Sequence, residues 1–344
     1  MKHLKVDLRS DTVSTPSHAM RNVICRADVG DDVFGEDPTI IRLESMMAEM
    51  SGFDAAVFMP SGTMSNGIAV QVMTSPGDEV LCGSSSHVYL YEGAQYAMMA
   101  GVQMHRIDES PSGCLPNEEV RKALSRPSDP HFAPRTLVTL ENTHNILGGL
   151  ILPEGELDAL IREIADAGAS VYLDGARLWH AHAATGRSLR SLTAGFRMVS
   201  LCFSKAMGCP VGSILLCSED DEEKVRRFRK CRGGGMRQAG VLASACIYSI
   251  EHNLPHLTKT HAWAEQLAGG IRRSPILELA AEPMTNIVFA RTTEGMAEVA
   301  AEALDSLEIG CLALADSLVR FVTHLSLTDR SVRYAVDVLS AFGG

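Results

Sequence analysis

The feature that most constrains this chain is a regular alternation, through its middle, of short apolar runs with longer amphipathic or helix-favouring stretches. The apolar runs fall at residues 55–59, 79–82, 103–107, 136–141, 170–174, 198–203 and 212–217. Helical patterns lie between them at 63–73, 90–100, 117–125 and 154–167. Such an order predicts βαβ units on a mostly parallel sheet, because parallel neighbours need a crossover long enough to bring the chain back to the same edge. Several runs are apolar almost without interruption, as expected of strands covered by helices on both faces.

From about Val241 the texture changes. A long helical stretch reaches about Arg273 and is broken at Pro255, which lacks a backbone N–H. A strand at 286–291, a helix at 296–307, a strand at 318–323 and a final helix from Asp329 follow. The fold class is therefore α/β. A large domain at 31–245 carries a mostly parallel sheet with helices on both faces, and a smaller α/β domain occupies 246–344. The segment 1–30 is expected to pack on the small domain.

Composition narrows the partners. Lys and Arg number 31 against 42 Asp and Glu, a formal net charge of −11. That balance argues against nucleic acid or an anionic membrane surface as a partner. An anionic small molecule would have to meet a local basic cluster. The nine cysteines are scattered with no C-x-x-C pair, the first residues carry no apolar signal core, and no apolar run is long enough to span a bilayer. These features point to reduced thiols and a cytoplasmic location.

The chemistry concentrates at predicted strand ends. One strand ends at Asp174, followed by Gly175, Ala176 and Arg177, and the strand about thirty residues on leads into Ser204-Lys205. Ligands of open α/β sheets sit at the carboxyl ends of strands, so a carboxylate and an amine should share one crevice. That pairing suits pyridoxal 5′-phosphate: lysine forms an imine with the cofactor, and the carboxylate keeps its pyridine nitrogen protonated. Arg177 could reach the ring's phenolic oxygen. Residues 59–63 form a strand–turn–helix junction whose free N–H groups would cradle a phosphate. There Gly62 permits close approach, and Thr63 can cap the helix and donate.

His87 and His144 also follow predicted strands, and either could sit at the same edge. His180 and His182 form a pair with no third ligand at metal spacing, so no metal site is expected. Arg320 lies in an apolar strand and needs an acid, either a structural partner or a substrate carboxylate. The segment 219–232 runs from acidic to basic, as a helix dipole alone would favour.

Read together, these segments resemble the low-specificity L-threonine aldolases of the aspartate-aminotransferase-like, fold type I superfamily. The resemblance covers almost the whole chain. Residues 6–12, 30–38, 60–64, 141–145, Asp174-Gly175-Ala176-Arg177, Ser204-Lys205, 233–238 and 320–324 carry it. It implies a seven-stranded sheet in the large domain and pyridoxal 5′-phosphate as cofactor. Cleavage of L-threonine, L-allo-threonine and related β-hydroxy-α-amino acids would yield glycine and an aldehyde. By the same resemblance Lys205 holds the cofactor, His87 stacks on its ring, Asp174 faces its nitrogen, Arg177 its phenolate, and Gly62 and Thr63 its phosphate. Ser10, Arg177 and Arg320 would take the substrate carboxylate. A homotetramer, a dimer of dimers, is implied, with Phe34 reaching the substrate and Lys230 and Arg237 the cofactor of a neighbouring subunit. Phe34 stands where tyrosine is common in the family. The base for the β-hydroxyl is left between His87 and His144.

Competing readings fall into three classes. A β-eliminating lyase or an aminotransferase of the same superfamily would make a keto acid in place of glycine and aldehyde, and a phenylserine aldolase would differ only in the aldehyde. A dinucleotide-binding oxidoreductase needs a glycine fingerprint after its first strand, whereas Gly233–Gly235 lies late and follows a basic helix. A non-catalytic cofactor-binding regulator would need an added DNA-binding module.

Overall fold

All seven apolar runs become strands of one sheet. The computed structural model describes residues 4–127 and 129–344. Its large sheet contains β1 (Ala55–Met59), β2 (Glu79–Gly83), β3 (Gln103–Ile107), β4 (Arg135–Glu141), β5 (Ser170–Gly175), β6 (Met198–Cys202) and β7 (Ser213–Cys217). The order across the sheet is β1-β7-β6-β5-β4-β2-β3. Only β7 is antiparallel to its neighbours; every other pairing is parallel.

Alternate residues of these strands enter opposite cores. Phe58, Leu81, Val138, Leu173 and Leu216 pack on one face, and Val57, Val80, Leu137, Tyr172 and Leu215 on the other. Both faces are therefore covered, which is why β1, β6 and β7 read as nearly unbroken apolar runs. Burying each large aliphatic or aromatic side chain contributes about 1.5–3 kcal/mol. At the edge, β3 exposes Gln103 and Arg106, a polar margin that discourages pairing with another chain.

A second, four-stranded antiparallel sheet is formed by β8 (Glu278–Leu279), β9 (Ile287–Arg291), β10 (Leu312–Ala315) and β11 (Leu318–Val322), in the order β10-β11-β9-β8. Its own core gathers Trp263, Leu267, Val288, Phe321, Val332 and Leu339. The first residues divide between the two units. Val6–Asp7 pairs in parallel with Ile309–Gly310, and Leu8 joins the small core. The helix His18–Cys25, by contrast, inserts Met20 into the large core.

One expected helix is absent as such. In place of a helix at 90–100 there is a short one at His87–Leu90, then Gly93 and Ala94 with φ of 59° and 56°, then a π-helical stretch at Tyr96–Ala100. Left-handed backbone cannot continue an α-helix, and glycine makes that turn accessible. The long C-terminal helical stretch breaks around Pro255, between Gly240–Tyr248 and Leu257–Ile271. The strands β8 and β10 were not anticipated, since both are short and only partly buried. Among the described residues no helix is long and apolar enough to cross a membrane.

Candidate active site

Asp174 and Lys205 leave the sheet at the same edge. β5 and β6 run parallel with Asp174 opposite Ser200, and Lys205 lies three residues beyond the end of β6. The charge of Lys205 acts on Asp11, His87 and Cys202, and that of Asp174 on His87, His144 and Cys202. These groups therefore lie within electrostatic reach of one another around the edge where β5 and β6 end. Asp174 is buried and accepts from the Ala176 N–H at 3.0 Å and from Asn66 Nδ2 at 2.9 Å.

Asn66 is a residue that pattern reading passed over. It sits in the helix Gly62–Met73, whose middle is buried from Ser65 to Val70, and its amide is used completely. Nδ2 donates to Asp174 and, at 2.8 Å, to Glu92 Oε1; Oδ1 accepts from Tyr172 Oη at 2.5 Å and Ser200 Oγ at 2.9 Å. Glu92 in turn accepts from His87 Nδ1 at 3.2 Å, from Gln95 Nε2 at 2.5 Å and from Tyr96 Oη. Burial pulls the pKa of His87 down, but the Glu92 hydrogen bond and the charge of Asp174 outweigh it, and the net shift is upward. The signal available in the sequence was a buried-type helix carrying an amide, which demands partners across the packing interface.

The turn after β1 has the form of an anion cradle. Ser61 caps the helix by accepting from the Met64 N–H at 3.2 Å, which leaves the N–H groups of Gly62 and Thr63 without partners among the described residues. Gly62 lies so close to the end of β6 that a Cβ there would sit 2.5 Å from Cys202 Sγ. A helix N-terminus with two free donors and no side chain over the first suits a phosphate group.

Two buried arginines lie beyond. Arg177 grips Asp11 with both arms, Nε to Oδ2 at 2.8 Å and Nη2 to Oδ1 at 2.7 Å, and its Nη1 donates to Asn145 Oδ1 at 3.1 Å. Burial pushes the Asp11 carboxyl up, but the Arg177 guanidinium more than reverses this and holds it below the usual range. Arg320, on β11, donates from Nη1 to the same Asn145 oxygen at 3.0 Å and from Nη2 to the Arg9 carbonyl at 3.2 Å. It is only 7% exposed, its Nε has no partner, and among the described residues it makes no ion pair. Among the described residues none supplies the acid that Arg320 was expected to need. Asp11 and Asn145 were both missed, because their partners are more than thirty residues away in sequence.

His144 is buried, and its Nε2 donates to Glu109 at 3.3 Å. His180 and His182 take no part in a ligand cluster: His180 Nδ1 lies 2.9 Å from His261 Nε2, and His182 Nδ1 donates to the Arg187 carbonyl at 2.6 Å. The one cluster of possible metal-ligating atoms among the described residues is His87, Glu92 and Asp174, whose side chains are occupied by the network above. Ser10 caps a short turn by accepting from the Thr12 N–H at 3.2 Å.

Phe34, Lys230 and Arg237 gather on an outer face. Phe34 is 72% exposed under the Arg237 guanidinium, 5.8 Å from its ring centre, and Lys230 packs on Gly235 close to Val33. Among the described residues neither basic side chain contacts Asp174 or Lys205; Arg237 pairs with Asp31 at 3.0 Å. Two further arginines of the basic helix end are paired within the chain, Arg226 to Glu44 and Arg229 to Asp32.

Comparison with known proteins agrees with this arrangement. The model of the beta-eliminating lyase family matches residues 7–294. The low specificity L-threonine aldolase of Escherichia coli K12 is 38% identical over 326 residues, spanning 94% of this chain and 95% of that protein. Low-specificity L-threonine aldolase 1 of Arabidopsis thaliana is 38% identical over 339 residues, with 96% and 94% covered. Among solved structures, the Leishmania major threonine aldolase superposes with a TM-score of 0.84 at 19% identity, over 97% of this chain and 98% of that one. A serine palmitoyltransferase solved with its pyridoxal phosphate internal aldimine shares the fold at a TM-score of 0.73 and 19% identity, over 97% and 86% of the two chains. With its sheet order and the Asp174–Lys205 crevice in place, the chain belongs to the beta-eliminating lyase family and, within it, to the low-specificity L-threonine aldolases.

Proposed function

We propose that this chain is a pyridoxal 5′-phosphate-dependent lyase that cleaves L-threonine, L-allo-threonine and related L-β-hydroxy-α-amino acids to glycine and an aldehyde. The observation that carries the reading is Arg320: a buried guanidinium with no ion pair among the described residues, sharing Asn145 with Arg177. A buried arginine without a counter-charge fits a site completed by a substrate carboxylate.

The residues present fit the cofactor. Lys205 would hold it covalently through its ε-amine, Gly62 and Thr63 would hold its phosphate on free N–H groups, and Asp174 would hold a proton at its pyridine nitrogen. His87 would lie against its ring. Arg177 spends its three donor nitrogens on Asp11 and Asn145, so reaching the phenolic oxygen would mean sharing one of them. When bound, the cofactor supplies the electron sink for the pair released as Cα–Cβ breaks.

The chain's own residues do the rest. Arg320, with Ser10 and Arg177 nearby, fixes the carboxylate and so sets which bond at Cα faces the ring. A base takes the proton of the β-hydroxyl, the Cα–Cβ bond breaks, the aldehyde leaves, and a proton returned to Cα completes glycine. His87 and His144 are the imidazoles within reach of that chemistry. The working unit in this reading is a homotetramer in the cytoplasm. Phe34, Lys230 and Arg237, exposed together on one face, would complete a neighbour's site. The division into 1–30, 31–245 and 246–344 is supported by the separate cores of the two sheets, with the first thirty residues touching both.

The test is a product assay on the purified protein loaded with cofactor. Acetaldehyde and glycine in equal amounts from L-threonine are expected. A keto acid with ammonia would replace this reading by a β-eliminating lyase, and faster release of benzaldehyde from L-phenylserine would move the preferred substrate to aromatic analogues.

A further inference from the structure

A cavity of about 960 Å³ lies along the edge strand β3, away from the residues of the candidate active site. Its walls come from residues 104–108, from the helix Asn117–Leu124 with Arg126 just beyond it, and from Arg135 at the start of β4. Four permanent cations line it, Arg106, Lys122, Arg126 and Arg135, in a chain whose formal net charge is −11. Carboxylates do not neutralise them. Asp108 and Glu119 also line the cavity, yet among the described residues neither pairs with any of the four. Glu79 pairs with Arg135 and lies 3.9 Å from Arg126, so one acid serves two guanidiniums. Arg106 and Lys122 make no ion pair among the described residues.

The donors of this wall are already held in place. The side chain of Arg135 is almost wholly buried; its Nη1 donates to the Ala123 carbonyl at 2.6 Å, and its Nη2 lies 3.3 Å from His105 Nδ1. A guanidinium only donates, so Nδ1 carries the lone pair and the proton of a neutral His105 sits on Nε2. That N–H is a further donor on the cavity wall, without a partner among the described residues. Arg106 lies over the Tyr89 ring, 5.1 Å from its centre, and Arg126 over the Phe132 ring at 5.2 Å. A guanidinium resting on a ring keeps its in-plane N–H groups for another acceptor. His105 also reports the sign of the local field. Burial, then the charge of Arg135 and after it that of Arg126, pull its pKa down although Glu79 stands 3.7 Å away.

We propose that this cavity is a binding site for a small anion carrying two or more phosphate or carboxylate groups, clasped by Arg106, Lys122 and Arg126. Cations contributed by an edge strand and by a helix across from it suit an anion with at least two charged groups, each taking donors from one wall. The volume is that of a site for a cofactor-sized molecule, well beyond a single phosphate. A peptide strand added to β3 is disfavoured by the polar side chains at that edge, Gln103 and Arg106. The site stands independently of the lyase reading, since among the described residues none of its cations contacts Asp174, Lys205 or Arg320.

The experiment is calorimetric titration of the cofactor-loaded protein with pyrophosphate and, separately, with citrate. Ionic strength is held constant, and saturating glycine keeps the carboxylate site at Arg320 filled. Saturable binding of at least one of the two anions, one per chain, is expected, and which of them binds more tightly tells phosphate from carboxylate as the preferred group. Lys122→Glu and Arg126→Glu should each weaken that binding roughly ten-fold or more, because each removes a charged hydrogen-bond donor and adds a repelling charge. Both variants should keep the wild-type unfolding midpoint and the wild-type rate on L-threonine. Should either fail to fold, Lys122→Ala and Arg126→Ala are read in the same way. No saturable binding of either anion, or binding that the variants leave unchanged, would overturn the assignment.

Discussion

Arg177 and Arg320 share a single acceptor: the Nη1 atoms of both donate to Asn145 Oδ1, at 3.1 and 3.0 Å. Among the described residues only Arg177, of the two guanidiniums, has a carboxylate in contact, that of Asp11. The pair therefore lacks one negative charge, and burial, with like-charge repulsion from Arg177 added, pulls the pKa of Arg320 down. A bound carboxylate relieves both effects.

Removing that clamp should cost substrate binding before anything else. Arg320→Ala is expected to raise KM for L-threonine by roughly thirty-fold or more, since losing one partner of a buried charge pair costs about 2–5 kcal/mol. Arg320→Lys keeps the charge but loses the planar fork, and should recover only part of the loss. Steady-state kinetics check this, with the cofactor band expected to stay at full strength in both variants.

Asp11 is tied to the fold as much as to the site. Asp11→Ala leaves the buried Arg177 guanidinium without its counter-charge, at a cost of about 3–5 kcal/mol of stability. Urea unfolding of the two proteins at neutral pH measures the difference. A loss under about 1 kcal/mol would mean that Asn145 alone satisfies Arg177.

Asn66 separates two buried carboxylates by donating to each. Asn66→Ala should leave Asp174 and Glu92 facing one another and two hydroxyls, on Tyr172 and Ser200, without their acceptor. Weaker cofactor retention on dialysis is expected, together with a stability loss of about 1–3 kcal/mol for the unsatisfied groups. Absorbance of the dialysed protein and its unfolding midpoint report the two effects separately.

Acid should unfold the protein through His180 and His261. Burial, and for His180 the neighbouring imidazole, holds His180 down to about 3 and His261 to about 4. In the unfolded chain both bind a proton near the ordinary value of about 6.5. Between those limits the unfolded state carries protons that the folded state refuses, so stability falls as pH drops from about 6.5 towards 4 and is indifferent to these groups above 7. The slope approaches ~1.4 kcal/mol per pH unit for each site. Unfolding midpoints at pH 7 and pH 5 should differ in the wild type, and differ less in His261→Gln.

The sheet was legible because burial on both faces leaves a simple trace, a short apolar run, and all seven runs became strands. That Asp174, Lys205, His87 and His144 lie together past the ends of strands was legible for the same reason, since the runs mark where each strand stops. What escaped were polar partners whose meaning is set at long range. Asn66 and Glu92 are 26 residues apart and meet across the end of the sheet. Glu92 was further obscured by the left-handed turn at Gly93 and Ala94, which breaks the helix that the pattern at 90–100 suggested. Asp11 meets Arg177 across 166 residues, a contact that no local periodicity encodes.

The amine of Lys205 is the proposed point of covalent attachment for the cofactor. Borohydride reduction of the loaded enzyme, followed by digestion and mass spectrometry, reads this directly. A single phosphopyridoxyl group on the peptide containing Lys205 is the expected result. The same group on another lysine, or none on a protein that turns over L-threonine, would contradict it.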